Sequence, residues 1–169
     1  MDIRFGVVTV SDRSASGERA DDSGPVLVDA IHTQGWSVTK AVIIPDDLKM
    51  IKATLGSWAD SDQVDVILTT GGTGFAPRDV TPEGTLAVVE RLVPGIPEAM
   101  RAESLRITPH AMLSRMTAGI RKKALIVNLP GSPKAALENF HVIKPVLEHA
   151  VKLLKDDPDS EQGHLATKQ

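Results

Sequence analysis

The chain contains no cysteine and no tyrosine. Without thiols it can form neither disulfides nor thiolate zinc or iron–sulfur centres, and no cysteine nucleophile is available. Aromatic residues are nearly as scarce: Phe5, Phe75, Phe140, Trp36 and Trp58 are the whole set, too few for a platform on which single-stranded bases stack. A basic excess is also lacking. The 19 Lys and Arg face 22 Asp and Glu, a formal net charge of −3, whereas a protein that reads a phosphate backbone carries a strong positive surplus. No apolar stretch approaches the roughly 20 residues of a membrane helix. Met1-Asp2-Ile3-Arg4 leads straight into a strand-like run, without the apolar core of a secretion signal. A soluble, cytoplasmic protein without nucleic-acid or membrane partners is the expectation.

What is present is a regular alternation. With 169 residues the chain suits one domain, large enough to bury a core without covalent staples. Apolar, β-branched runs at Ile3–Val10, Trp36–Ile44, Val64–Thr70 and Ala124–Leu129 read as buried strands. Between them, Gly24–Thr33, Asp47–Trp58, Pro82–Leu92 and Pro97–Leu105 carry helical apolar spacing. A last helix is predicted from Pro133 to about Lys155, bent or split at Pro145, where the backbone N–H is missing. Met116–Ile120 reads as a short antiparallel edge. Such alternation predicts an α/β fold, a single three-layer domain whose mainly parallel sheet has helices on both faces. The domain is expected over residues 1–155, with 156–169 as a polar tail. Trp36 and Trp58 are expected in core or helix–sheet packing.

In an open α/β sheet, ligands bind beyond the carboxyl ends of the strands, so the segments following each strand carry the functional information. They are Ser11-Asp12-Arg13 with Asp21-Asp22-Ser23-Gly24, then Pro45-Asp46-Asp47, then Gly71-Gly72-Thr73-Gly74 running on to Pro77-Arg78-Asp79-Val80-Thr81-Pro82, and finally Pro130-Gly131-Ser132-Pro133-Lys134. Three glycines in four residues let backbone N–H groups turn toward an anion; the alternative is a tight turn needing positive φ. The loop is neither a Walker loop nor a dinucleotide fingerprint. Ser132 lies in Pro-Gly-Ser-Pro, not in a nucleophile elbow; it reads either as a helix cap or as part of a phosphate site at a helix N-terminus. Asp46 and Asp79 are either solvated carboxylates or, if they converge beside the glycine loop, a Mg2+ site built from oxygen ligands. The five histidines show no metal spacing. A small anionic, phosphorylated ligand bound with Mg2+ is the reading these residues support.

Taken in order, Thr69-Thr70-Gly71-Gly72-Thr73-Gly74 with Pro77-Arg78-Asp79-Val80-Thr81-Pro82-Glu83, Ser11-Asp12-Arg13, Asp21-x-Ser23-Gly24, Ile44-Pro45-Asp46 and Leu129-Pro130-Gly131-Ser132-Pro133-Lys134 resemble the signatures of the molybdopterin-binding domain family, over about Ile3 to Leu154. Within it, the adenylyltransferase branch is the most similar. That resemblance implies a Rossmann-like fold and an enzyme of molybdenum cofactor biosynthesis, which moves AMP from Mg-ATP to the terminal phosphate of molybdopterin and releases pyrophosphate. It implies Asp46 and Asp79 as the essential aspartates and as ligands of Mg2+. Gly71, Gly72, Thr73, Gly74, Ser11, Asp12, Pro45, Gly131 and Ser132 would bind nucleotide and phosphate. Ser104, Ser114, Arg78, Lys134 and Asp21 would hold molybdopterin. A homotrimer and a downstream molybdate-insertion protein or domain are implied partners. Gly84 departs from the pattern, which more often has alanine, and is expected to cost about 1 kcal/mol of helix stability without touching the site.

Two other readings stand beside this one. A non-catalytic module would present molybdopterin to a partner without consuming ATP. A hydrolase would use Ser132 with His110.

Overall fold

The computed structural model describes residues 1–156; apart from Asp156, the expected tail lies outside the described residues. Six strands form one sheet in the order β2-β1-β3-β6-β5-β4. They are β1 (Arg4–Val10), β2 (Ser37–Ile44), β3 (Val66–Thr70), β4 (Arg91–Leu92), β5 (Ala118–Arg121) and β6 (Ala124–Leu129). β2, β1, β3 and β6 run parallel, and β5 and β4 complete the sheet antiparallel. The helices are α1 (Asp12–Ala15), α2 (Ser23–Thr33), α3 (Leu48–Asp60), α4 (Thr81–Leu86), α5 (Gly95–Leu105) and α6 (Pro133–Leu154), with a 3-10 turn over Pro109–Leu113. The three-layer α/β arrangement is the one the alternation predicts.

Strand alternation divides the core in two. Ile3, Phe5 and Val7 of the β1 region point into one cluster with Leu27 and Ile31 of α2 and Phe140, Ile143, Leu147 and Val151 of α6. Val8 and Val10 point the other way, to Ile51 and Leu55 of α3. The fully buried strands β3 and β6 read as continuous apolar runs because both faces are covered. Trp36 stacks on Phe5, with centroids 5.5 Å apart, and meets Phe140 edge-on at 6.5 Å. Trp58 lies against Gly6, where an added Cβ would sit 2.7 Å from its ring. Both tryptophans therefore pack as expected.

Four local expectations are corrected. The helix expected over Pro82–Leu92 ends at Leu86, because the chain turns there to pair with β5: Glu90 N–H donates to Ile120 O and Val93 N–H to Ala118 O, at 2.8 and 2.9 Å. That pairing makes β4 the sheet edge, so β5 is an interior strand. Helix α6 runs unbroken through Pro145; the lost hydrogen bond is tolerated because a row of buried side chains holds the helix on the sheet. Gly84 is no mere weak spot. It is buried in α4, and a Cβ there would fall inside van der Waals distance of Ile51 Cγ2 on α3.

Candidate active site

In this strand order, β1 is followed by β2 on one side and by β3 on the other. Loops leaving β1 and β3 therefore diverge to opposite faces and open a crevice between them, the general location of ligand sites in such sheets. A cleft of about 350 Å3 occupies that place. Loops from all four parallel strands line it, as the sequence predicts.

The backbone is drawn tight around the cleft. Gly71 has φ +100° and Gly72 φ +64°, conformations that L side chains rarely adopt. A Cβ on Gly71 would overlap the carbonyl oxygen of Val10, and one on Gly72 would overlap Thr81 Oγ1 and sit 3.1 Å from Asp46 Oδ1. Both glycines are thus required by close approach as well as by conformation. The loop is fixed at its ends: Gly71 N–H donates to Leu129 O at 3.2 Å and Thr81 N–H to Gly72 O at 3.1 Å, while Thr70 Oγ1 donates to Pro130 O at 2.7 Å. Ser11 and Ser132 cap α1 and α6, their side chains accepting from Ser14 N–H and Ala135 N–H. The capping alternative for Ser132 therefore holds, and Ser132 also faces the cleft.

Asp12 and Asp46 bind each other reciprocally. Asp12 N–H donates to Asp46 Oδ2 and Asp46 N–H to Asp12 Oδ1, both at 2.9 Å. Asp79 Oδ2 accepts from Ala76 N–H at 2.9 Å. Among the described residues, no protein donor reaches Oδ1 of Asp46 or of Asp79, and both carboxylates line the cleft. Burial pushes the Asp46 carboxyl above its ordinary range, with Asp12 and Asp79 adding repulsion against the opposing Asp12 amide and Arg78. A divalent cation would relieve that repulsion. No three His, Cys, Asp or Glu side chains cluster for a metal among the described residues. Two carboxylates with waters and substrate phosphates would suit Mg2+, which rarely uses an all-protein cage.

The expected site residues fall into three groups. Ser11, Asp12, Asp46, Gly71, Gly72 and Asp79 line the first cleft, as do Gly131 and Ser132. Asp21 and Arg78, expected beside the pterin residues, face this same cleft. Asp21 is held by Thr9 Oγ1 at 2.6 Å and Gly24 N–H at 3.0 Å. Thr73, Gly74, Ser104 and Ser114 instead line a second, mainly apolar cleft of about 300 Å3. There Ser104 Oγ lies 3.3 Å from Asn139 Nδ2, while Ser114 Oγ is buried with no hydrogen-bond partner among the described residues. The glycine loop forms the shared wall, its first half facing one cleft and its second half the other. Pro45 and Lys134 line neither; Lys134 is exposed and pairs with Glu138 at 3.8 Å.

Arg13, part of the Ser11-Asp12-Arg13 motif but given no role from sequence, and Arg19, which sequence reasoning missed, join Arg78 around the first cleft and offset its carboxylates. Arg19 lies outside every strand-end motif, so no pattern marks it. Ser132 and His110 line different clefts, so the geometry does not assemble the hydrolase pair.

Comparison with known proteins agrees with this geometry. Residues 6–149 match the family described as "Probable molybdopterin binding domain". Gephyrin of Dictyostelium discoideum is 45% identical over 165 residues, covering 92% of this chain, which spans only 23% of gephyrin. The molybdopterin adenylyltransferase of Helicobacter pylori strain J99 is 39% identical over 90% of this chain and 88% of its own length. The crystal structure of the molybdopterin biosynthesis enzyme MoaB from Thermus thermophilus superposes with a TM-score of 0.86 at 46% identity, covering 92% of this chain and 98% of that one. Ordered loop motifs, the crevice they enclose and similarity along nearly the whole domain lead to one conclusion: the chain belongs to the molybdopterin-binding domain family.

Proposed function

We propose that the chain is a molybdopterin adenylyltransferase that transfers AMP from ATP to the terminal phosphate of molybdopterin and releases pyrophosphate. The observation that carries the reading is the pair of clefts sharing the glycine loop as a wall. One is polar, lined by arginines, carboxylates and backbone amides; the other is mainly apolar, with a hydroxyl at Ser114 that has no hydrogen-bond partner among the described residues. Two phosphorylated substrates, one a nucleotide and the other a pterin, would meet across Gly71–Gly74. Relatives of the chain that it covers almost end to end bear the adenylyltransferase name.

In the reaction, an oxygen of the molybdopterin phosphate attacks the α-phosphorus of ATP. A new P–O–P bond forms, the bond between the α-phosphorus and its bridging oxygen to the β-phosphate breaks, and pyrophosphate departs with that electron pair. The nucleophile is already ionised, so no general base is needed, in keeping with a site without cysteine or paired histidine. Catalysis then rests on alignment and charge neutralisation. The amide of Gly72 and the guanidinium of Arg78 bind phosphate oxygens, and Ser104 and Ser114 orient the pterin. Mg2+ held by Asp46 and Asp79 would supply positive charge to the phosphates.

The proposal includes a homotrimer, a downstream protein or domain that inserts molybdate into the adenylylated product, and a cytoplasmic setting. Among the described residues no helix is long and apolar enough to cross a membrane. Incubation with molybdopterin, ATP and Mg2+ should release pyrophosphate, and Asp79→Asn should lower the rate by at least about 10²-fold. Absence of pyrophosphate, or an Asp79→Asn variant as fast as wild type, would sink the reading. Light scattering that returned a monomer would remove the trimer.

A further inference from the structure

Arg115 lines neither cleft, yet it ties together the loop that separates them. Its backbone N–H donates to Thr73 O at 2.8 Å. Its side chain donates from Nε to Gly74 O at 2.8 Å and from Nη2 to Asp79 O at 2.5 Å, and it forms an ion pair with Glu83. One guanidinium thus holds the carbonyls at both ends of residues 74–79, the segment carrying Arg78 and Asp79. That segment needs such an anchor. Residues 75–78 are exposed, and its internal ties are the two hydrogen bonds between Ala76 and Asp79. Arg115 is itself braced, because Arg101 Nη1 of α5 donates to Ser114 O at 3.3 Å and Met116 O at 2.9 Å.

The geometry points to Arg115 as a positioning residue: it fixes where Asp79 and Arg78 stand in the first cleft, without contacting substrate. This inference rests on the adenylyl-transfer reading for its kinetic consequence, though not for its structural one. A planar fork can hold two carbonyls in fixed directions at once, whereas an ammonium cannot. Arginine is therefore required at this place, and charge alone is insufficient.

The test compares wild type with Arg115→Ala, Arg115→Lys and Glu83→Gln by steady-state kinetics and by amide hydrogen exchange. Misplacing a reacting group by an ångström costs about 10²-fold. Arg115→Ala should lose about that much in kcat, with KM for ATP moving less than about threefold, the pattern of an interaction felt in the transition state. Arg115→Lys should regain only part of the rate, and Glu83→Gln, which leaves both carbonyl contacts intact, should stay close to wild type. Exchange in residues 74–79 should quicken in Arg115→Ala while β3 and β6 stay protected. A loss confined to KM, an unchanged exchange rate at 74–79, or exchange rising throughout the sheet would overturn the assignment. If Arg115→Ala does not fold, Arg115→Lys and Glu83→Gln decide: a slower lysine variant supports it and equal rates refute it. If wild type releases no pyrophosphate, the adenylyl-transfer reading fails and the exchange result alone judges Arg115.

Discussion

Replacing Gly72 by alanine separates a glycine needed for its conformation from one needed for its emptiness. Gly35 provides the control: its φ is +76°, close to the +64° of Gly72, but a Cβ at Gly35 would meet nothing within 4 Å. Gly35→Ala should therefore cost about 1 kcal/mol for the left-handed backbone alone. At Gly72 the same backbone cost is joined by overlap with Thr81 Oγ1, a β-branched side chain that is fully buried. Overpacking of that kind costs about 1–3 kcal/mol, so Gly72→Ala should lose about 2–4 kcal/mol altogether. Urea unfolding measures the difference as a lower midpoint at unchanged m. Pyrophosphate release supplies a second measure, since the methyl also crowds Asp46 Oδ1 and should slow transfer by about 10²-fold if it displaces that carboxylate by an ångström. The steric argument fails if Gly72→Ala unfolds within about 0.5 kcal/mol of Gly35→Ala.

Asp65→Asn should destabilise the fold by about 2–3 kcal/mol at neutral pH by removing charged hydrogen bonds to Arg4 and Lys155. Burial alone would raise this carboxyl, but the side-chain and backbone donors of Arg4, with Lys155, hold it below its ordinary 3.8; its stabilisation is present above that pH and lost as pH falls below, so the two proteins should converge in acid unfolding curves. Asp46→Asn should do the reverse. A carboxyl raised by burial favours the protonated fold, so stability falls as pH rises through its titration, and the variant should melt above wild type at pH 7 but level with it in acid. Gly84→Ala should destabilise by about 1–2 kcal/mol despite the better helix propensity of alanine, and Ile51→Leu, which moves the branch from Cβ, should show a favourable coupling of at least about 0.5 kcal/mol in a double-mutant cycle.

How legible each element is in the sequence depends on how local its cause is. The strand predicted at Ala124–Leu129 has the observed bounds, because an apolar run ending in Pro-Gly leaves little freedom. The α4 region misleads. Leu86, Val88, Val89 and Leu92 suit one helical face, but the partners that bond Glu90 and Val93 and so hold Arg91–Leu92 as a strand, Ile120 and Ala118, lie far along the chain. Long-range pairing of that kind leaves no periodic trace. The site divides in the same way. Asp46, Asp79 and the glycine loop are visible because strand ends must carry ligand groups and because the motifs resemble a family. Arg115 is opaque, since it acts on backbone carbonyls 36 and 41 positions away, and carbonyls have no sequence signature. Gly84 looks like a propensity defect until Ile51 is placed against it.

Two aspartates show how the fold divides stability from function. Asp65 precedes β3 at the amino rim of the sheet, where its amide donates to Arg4 O and its carbonyl accepts from Leu125 N–H. Its side chain is almost wholly buried, but Arg4 and Lys155 lie within 2.9 Å. At that rim burial is fully compensated, and the charge strengthens the fold. Asp46 stands at the carboxyl rim, facing Asp12 and Asp79 with a single backbone donor. There burial is left under-compensated, and the charge weakens the fold. A parallel sheet makes this separation natural, because it gathers every strand's carboxyl end on one side and leaves the other free for structural ion pairs. The uncompensated rim is the one that gains when a cation and phosphates arrive, so binding would stabilise this protein most where it is least stable alone. Differential scanning with Mg2+ and ATP should therefore raise Tm in wild type and raise it less in Asp46→Asn, whereas Asp65→Asn should respond as fully as wild type. An equal response in all three proteins would mean that the carboxyl rim is not where the ligands act.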